Sequence, residues 1–128
     1  MTLADGCFDP LHIGHLRYLR RAMERGRPVV VRIAPDAAIR AKGRQPFQTQ
    51  RERAELVFAL DCVARVVLDG SLADAINRLH PDTLVKGIEW QDRLPEDVLQ
   101  ACQQTGTRIV FVNEQHRTST ARLTASSG

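Results

Sequence analysis

Five short runs of apolar, mostly β-branched residues, each trailed by a stretch with helical spacing, restrict this chain to a narrow set of folds. The clearest run is Pro28–Ala34 (PVVVRIA), whose nearly continuous apolar character suits a strand buried on both faces. Thr2–Ala4, Arg65–Leu68, Thr83–Val85 and Arg108–Val112 read as the other four strands. Between them, residues 12–25 place Leu16, Leu19 and Met23 on one helical face, and Gly26 supplies the stop. Pro35–Arg40 gives a turn of helix and Ala41–Gln48 a polar loop. Thr49–Leu60 is predicted helical with Leu56, Val57 and Leu60 inward. Ser71 caps the next helix with Asp74 as its box partner. Pro95 opens a helix that Gly106 ends, and a last short helix is predicted from Thr118. Strands alternating with helices imply an α/β domain with a five-stranded parallel sheet covered on both faces.

The length of 128 residues holds one domain, and residues 125–128 read as a disordered tail. The apolar runs are too short to span a bilayer, and no secretory leader pattern opens the chain. Cys7, Cys62 and Cys102 are widely spaced without a CxxC pair, so neither a disulfide framework nor a zinc site is expected, and a cytoplasmic setting fits. The net charge is +3, but the arginines are scattered and aromatic residues are only 5%, too few for base stacking. Neither nucleic acid nor membrane is therefore an expected partner. Of 18 basic residues only Lys42 and Lys86 are lysines.

In a parallel sheet ligands bind beyond the carboxyl ends of the strands, so function should reside in the loops there. The first of these, residues 6–15, reads GCFDPLHIGH. Gly6 allows a tight turn, and His12 and His15 flank Gly14 where a helix opens. Backbone N–H groups and the helix dipole make such a start an anion site, to which two imidazoles add donors. There is no GxxxxGK[ST] and no GxGxxG, which disfavours P-loop and dinucleotide-dehydrogenase readings.

This stretch resembles the HxGH nucleotidyltransferase superfamily. Class I aminoacyl-tRNA synthetases share the HIGH tetrapeptide of residues 12–15 but are far longer and carry a KMSKS loop absent here. Phosphopantetheine and nicotinate-mononucleotide adenylyltransferases share a similar GxFDPxHxGH start. Other segments are more similar to the small cytidylyltransferase-like branch, which includes enzymes acting on glycerol 3-phosphate and on bacterial manno-heptose 1-phosphate. Asp36–Gln45 (DAAIRAKGRQ) resembles the DAxxRxKG loop of the heptose enzymes. Gln50-Arg51 resembles the following QR, Leu84–Trp90 (LVKGIEW) the LVKGGDY, and Thr118–Thr120 the Ser-Thr-Thr of their last helix. The chain departs from that pattern at Pro10, Ile88 and Glu89, and in placing Arg117 immediately before the hydroxyl triplet.

The resemblance implies a Rossmann-like doubly wound domain in which a substrate phosphate attacks the α-phosphorus of a nucleoside triphosphate and releases pyrophosphate. The nucleophile is already ionised, so no serine or cysteine triad is needed, and none is evident. His12, His15 and Lys42 are the implied catalytic residues. Gly6, Cys7, Phe8, Gly14, Arg51, Lys86, Gly87, Arg117, Thr118, Ser119 and Thr120 would contact the nucleotide. For Arg51 a surface position is an equal reading, and for the hydroxyl triplet plain helix capping is the alternative. Glu89 and Trp90 would meet the acceptor, although Trp90 also fits the edge of a core. Asp9, grouped with them, would otherwise orient a histidine or assist Mg²⁺, which is expected to arrive with the triphosphate. ATP with a manno-heptose 1-phosphate-like sugar phosphate is the first substrate pair, and CTP with glycerol 3-phosphate the second. A non-catalytic nucleotide-binding module is the rival class. Small relatives commonly form dimers, so a homodimer is one expectation.

Overall fold

The computed structural model of the chain describes residues 1–113. The expected helix at Thr118, the candidates Arg117 to Thr120 and the tail at 125–128 lie outside the described residues. Five parallel strands, β1 (Thr2–Gly6), β2 (Val29–Ile33), β3 (Arg65–Val67), β4 (Thr83–Gly87) and β5 (Arg108–Val112), form one sheet in the order β3-β2-β1-β4-β5. The connecting helices are α1 (Ile13–Arg25), α2 (Asp36–Arg40), α3 (Gln50–Phe58), α4 (Leu72–Leu79) and α5 (Glu96–Thr105). This is the doubly wound, Rossmann-like arrangement. The order reverses between β1 and β4, which opens a crevice at their carboxyl ends.

Side chains alternate across the strands and build two cores. Ala4, Val31, Ile33 and Val85 pack with Tyr18, Leu19 and Ala22 of α1 and with Ala54 and Val57 of α3. Leu3, Val30 and Leu84 face the other way, onto Leu72, Ala75 and Ile76 of α4 and Val98 and Ala101 of α5. Burying a Leu, Ile or Val in either layer contributes about 1.5–3 kcal/mol. Among the described residues no helix is long and apolar enough to cross a membrane. Cys7, Cys62 and Cys102 are free thiols, and burial raises the pKa of Cys62 and Cys102.

The capping box of Ser71 and Asp74 forms as predicted: Ser71 Oγ accepts from Asp74 N at 3.1 Å and Asp74 Oδ2 from Ser71 N at 3.0 Å. Three expectations need correction. β1 runs two residues past Ala4, and β4 two past Val85, because Lys86 and Gly87 pair with Phe111 and Val112 of β5. Lys86 therefore belongs to a central strand and not to a loop. His12 is the cap of α1 and lies outside its helical residues. Leu56 is 42% exposed, whereas Arg53 on the same helix is fully buried.

Candidate active site

The carboxyl ends of β1, β2 and β4 enclose a cavity of about 750 Å³. One wall is the β1–α1 junction. Phe8 adopts φ +52°, a left-handed conformation costing a bulky residue about 1–3 kcal/mol. The reward is burial: its ring is 2% exposed and meets His15 edge-on at 5.1 Å. A Cβ on Gly6 would come within 3.1 Å of that ring. A side chain at position 6 would therefore press the Phe8 ring aside by a few tenths of an ångström, and the left-handed turn itself is carried by Phe8.

His12 and His15 form a capping box with each other. His12 Nδ1 accepts from Gly14 N, and His15 Nδ1 accepts from His12 N, both at 3.1 Å. The rings stack with centroids 3.8 Å apart. Because a backbone N–H donates to each Nδ1, that nitrogen must be the unprotonated one in a neutral ring, which fixes the proton on Nε2. The junction thereby presents two imidazole N–H donors on rings that line the cavity, at the positive end of α1. Tyr18, one turn further on, fastens α1 to the sheet by donating to Val85 O and accepting from Asp5 N. Burial pushes its phenol far up, so it stays a neutral hydrogen-bonding group.

The polar loop of residues 41–48 is held over this wall by Asp9. Its side chain is fully buried and accepts from Arg44 Nη1 at 2.7 Å, Phe47 N at 2.9 Å and Gln48 N at 3.0 Å. Burial alone would raise its pKa, but these hydrogen bonds and the Arg44 charge outweigh it and hold the carboxyl below its ordinary value. Asp9 thus positions this loop while also lining the cavity. The same loop brings Lys42 Nζ to 3.4 Å from Cys7 Sγ at the cavity wall.

Of the remaining candidates, Gly6, Cys7, Phe8, Gly14, Gly87 and Lys86 line the cavity, as do Glu89 and Trp90. Ile88–Trp90 forms a 3-10 turn, and Trp90 lies over Lys86 with Nζ 4.3 Å from its ring centroid. Arg51 is not brought to the site: it is exposed on α3 and does not line the cavity. The arginine that matters on that helix is Arg53, which sequence reasoning missed. It donates to the carbonyls of Cys7, Ala34 and Gln48 and to Asp36 Oδ1, tying the β1, β2 and loop ends together. Asp5 and Arg32 were missed as well. Arg32 interrupts an otherwise apolar strand, and that interruption was the available signal. Among the described residues no group of three or more His, Cys, Asp or Glu is arranged to hold a metal ion.

Comparison with known proteins agrees with this geometry. The family model described as cytidylyltransferase-like matches residues 3–122. The bifunctional protein HldE of Citrifermentans bemidjiense is 35% identical over 129 residues, covering 96% of this chain and 26% of the relative. HldE of Helicobacter pylori strain G27 is 34% identical over 123 residues, covering 93% of this chain and 26% of its own length. The chain thus spans about a quarter of the length of these curated relatives. The crystal structure of a lipopolysaccharide core biosynthesis protein from Thermoplasma volcanium superposes with a TM-score of 0.72 at 28% identity, covering 90% of this chain and 95% of that one. A protein with unknown function from Archaeoglobus fulgidus shares the fold, with a TM-score of 0.69 at 22% identity over 89% of this chain and 90% of its own. The chain belongs to the cytidylyltransferase-like family of nucleotidyltransferases.

Proposed function

We propose that the cavity joins the nucleoside monophosphate of a triphosphate to the phosphate of a small, hydroxyl-bearing acceptor and releases pyrophosphate. The observation that carries this reading is the two-histidine capping box at the start of α1, which fixes two N–H donors at a helix N-terminus. An acceptor phosphate oxygen attacks the α-phosphorus, and the bond from that phosphorus to the bridging oxygen breaks. The electron pair and negative charge leave with pyrophosphate. No proton need be removed from a phosphate already ionised at neutral pH, so the protein's work is positioning and charge stabilisation.

His12 and His15 would donate to the α- and β-phosphates as charge grows on the bridging oxygen. Donors so placed are each worth about 2.7–4 kcal/mol of barrier. Lys42 adds a point charge from the loop that Asp9 holds. Magnesium enters as part of the triphosphate substrate, shielding charge on its oxygens. On the acceptor side, Glu89 lines the cavity with an exposed carboxylate that can accept from sugar hydroxyls, beside the Trp90 ring.

ATP with a manno-heptose 1-phosphate-like sugar phosphate, giving an ADP-sugar, is the pair the heptose-type loop motifs favour. CTP with glycerol 3-phosphate is the second reading, favoured by the family match alone. The test is pyrophosphate release with each triphosphate paired with each acceptor. Release that requires both partners is expected, fastest with the first pair. Tight nucleotide binding with no release for any pair would restore the non-catalytic module.

A further inference from the structure

Three charged side chains cross the middle of the sheet in a single row. Asp5 of β1 sits opposite Arg32 of β2 in the strand register, and Lys86 of β4 follows the paired Ala4 and Val85, which sets it opposite Asp5 on the other side. Arg32 Nη1 and Lys86 Nζ each lie 2.9 Å from a different oxygen of the Asp5 carboxylate. The side chains are only 10%, 5% and 10% exposed for Arg32, Lys86 and Asp5, yet all three line the cavity. Two cations share one carboxylate, so the row carries one uncompensated positive charge. Other acidic groups near it are Glu89 at the rim and Asp74 of α4, which feels the charge of Arg32. Neither forms an ion pair with the row among the described residues.

The row also has spare donors. An ammonium has three N–H groups and a guanidinium five. Lys86 uses one on Asp5 and lays its Nζ against Trp90; Arg32 uses Nη1 on Asp5 and Nη2 on Gly70 O. Arg32 Nε is buried with no hydrogen-bond partner among the described residues. A buried, under-neutralised cationic pair with unused donors at a cavity floor is built to receive an anion.

Its position says which anion. Asp5, Arg32 and Lys86 lie two residues beyond Leu3, Val30 and Leu84, so they share the sheet face covered by α4 and α5. The histidine pair opens α1, which packs on the opposite face. Phosphoryl transfer places the attacking and leaving oxygens roughly in line through phosphorus, so the nucleophile and the leaving group need holders on opposite sides. With the triphosphate at α1 and Lys42, the row falls to the nucleophile.

We propose that Arg32 and Lys86 form the anchor for the acceptor's phosphomonoester, that Asp5 is the shared counter-ion with which the incoming phosphate competes, and that Arg32 determines specificity for that acceptor. This rests on the nucleotidyltransferase reading of the cavity, and one probe tests it independently of turnover. Trp90 is the chain's only tryptophan and lies against Lys86, so its fluorescence reports on the row. Inorganic phosphate is titrated at constant ionic strength with a non-reactive ATP analogue already saturating the nucleotide site.

The expected result is a saturable change in Trp90 emission that Lys86→Met abolishes and Arg32→Met weakens at least tenfold. Asp5→Asn, which removes the competing anion, should tighten phosphate severalfold. Arg32→Lys covers the case in which Arg32→Met does not fold, and should weaken phosphate less than tenfold. A titration that is non-saturable, or that Arg32→Met and Asp5→Asn leave unchanged, overturns the proposal. Looser phosphate binding by Asp5→Asn also overturns it, since that is what a purely structural row would give. In turnover assays Arg32→Met should raise KM for the acceptor at least tenfold and leave KM for the triphosphate within twofold. Full turnover with an unchanged acceptor KM would defeat the anchor alone; absence of turnover in the unmodified protein would defeat the nucleotidyltransferase reading instead.

Discussion

Replacing Asp9 by asparagine keeps the shape of a fully buried side chain but removes its charge and one of its two acceptor oxygens. Asparagine can still accept from Gln48 N through its one carbonyl oxygen. The oxygen that serves both Phe47 N and Arg44 becomes an NH₂ group facing donors. A hydrogen bond to a charged group contributes about 1.5–3 kcal/mol, and the Phe47 bond falls in that class. Arg44 is 41% exposed, so its ion pair is worth only about 0.2–1 kcal/mol. The expected loss is therefore about 2–4 kcal/mol, which lowers the urea midpoint by about 1–2 M at a slope near 2 kcal/mol/M. Turnover should fall further than stability, because the loop carrying Lys42 loses its clasp. The pH dependence has a definite sign. The Asp9 pKa is lower in the folded chain, so its contribution is fully present above the unfolded value of about 4 and is lost as pH falls through the folded value. Urea titrations of both proteins from pH 7 down to pH 3 should show a gap that is constant above about pH 5 and narrows below 4. A gap under about 0.5 kcal/mol at pH 7, with unchanged turnover, would refute the assignment of Asp9 as the loop's clasp.

His15→Ala and His12→Ala should each lower kcat by about 10²–10³ in pyrophosphate-release assays, with the circular dichroism spectrum retained. Wild-type-like rates in either variant would contradict their role. Lys42→Arg keeps the charge but puts a wide planar group beside Cys7, and kcat/KM for the triphosphate should fall measurably in initial-rate kinetics. Gly87→Ala places a methyl group where the Glu89 carboxylate now lies, so that side chain must swing away. The acceptor's KM should rise several-fold while thermal stability changes little.

The layered fold was legible because strands buried on both faces need apolar runs, and Pro28–Ala34 has no other stable use. The loop motif was legible too, since two histidines at a helix start carry a specific physical meaning. What stayed hidden depended on distant backbone. Helical spacing favoured Leu56 as an inward position, yet Arg53 is buried because three carbonyls, from Cys7, Ala34 and Gln48, converge there and need donors. Periodicity says which face is inward but not which polar group the far end of a sheet demands. Arg51 was favoured over Arg53 because Gln50-Arg51 matches the QR of the resembling enzymes, a match that does not say where the side chain sits. Lys86 fell just beyond the strand read as Thr83–Val85, whereas pairing with β5 extends that strand through Lys86 and Gly87. Asp5 and Arg32 acquire meaning only once the register sets them side by side.

The central claim is nucleotidyl transfer from a triphosphate to an acceptor phosphate, and ³¹P NMR of the reaction mixture tests it most directly. The unmodified protein, ATP with Mg²⁺ and manno-heptose 1-phosphate should yield the coupled resonances of a new diphosphate diester together with free pyrophosphate, in equal amounts. CTP with glycerol 3-phosphate should give the same pattern if the second reading is correct. Appearance of ADP or CDP with a newly phosphorylated acceptor, or an unchanged spectrum for every pair, would contradict the account.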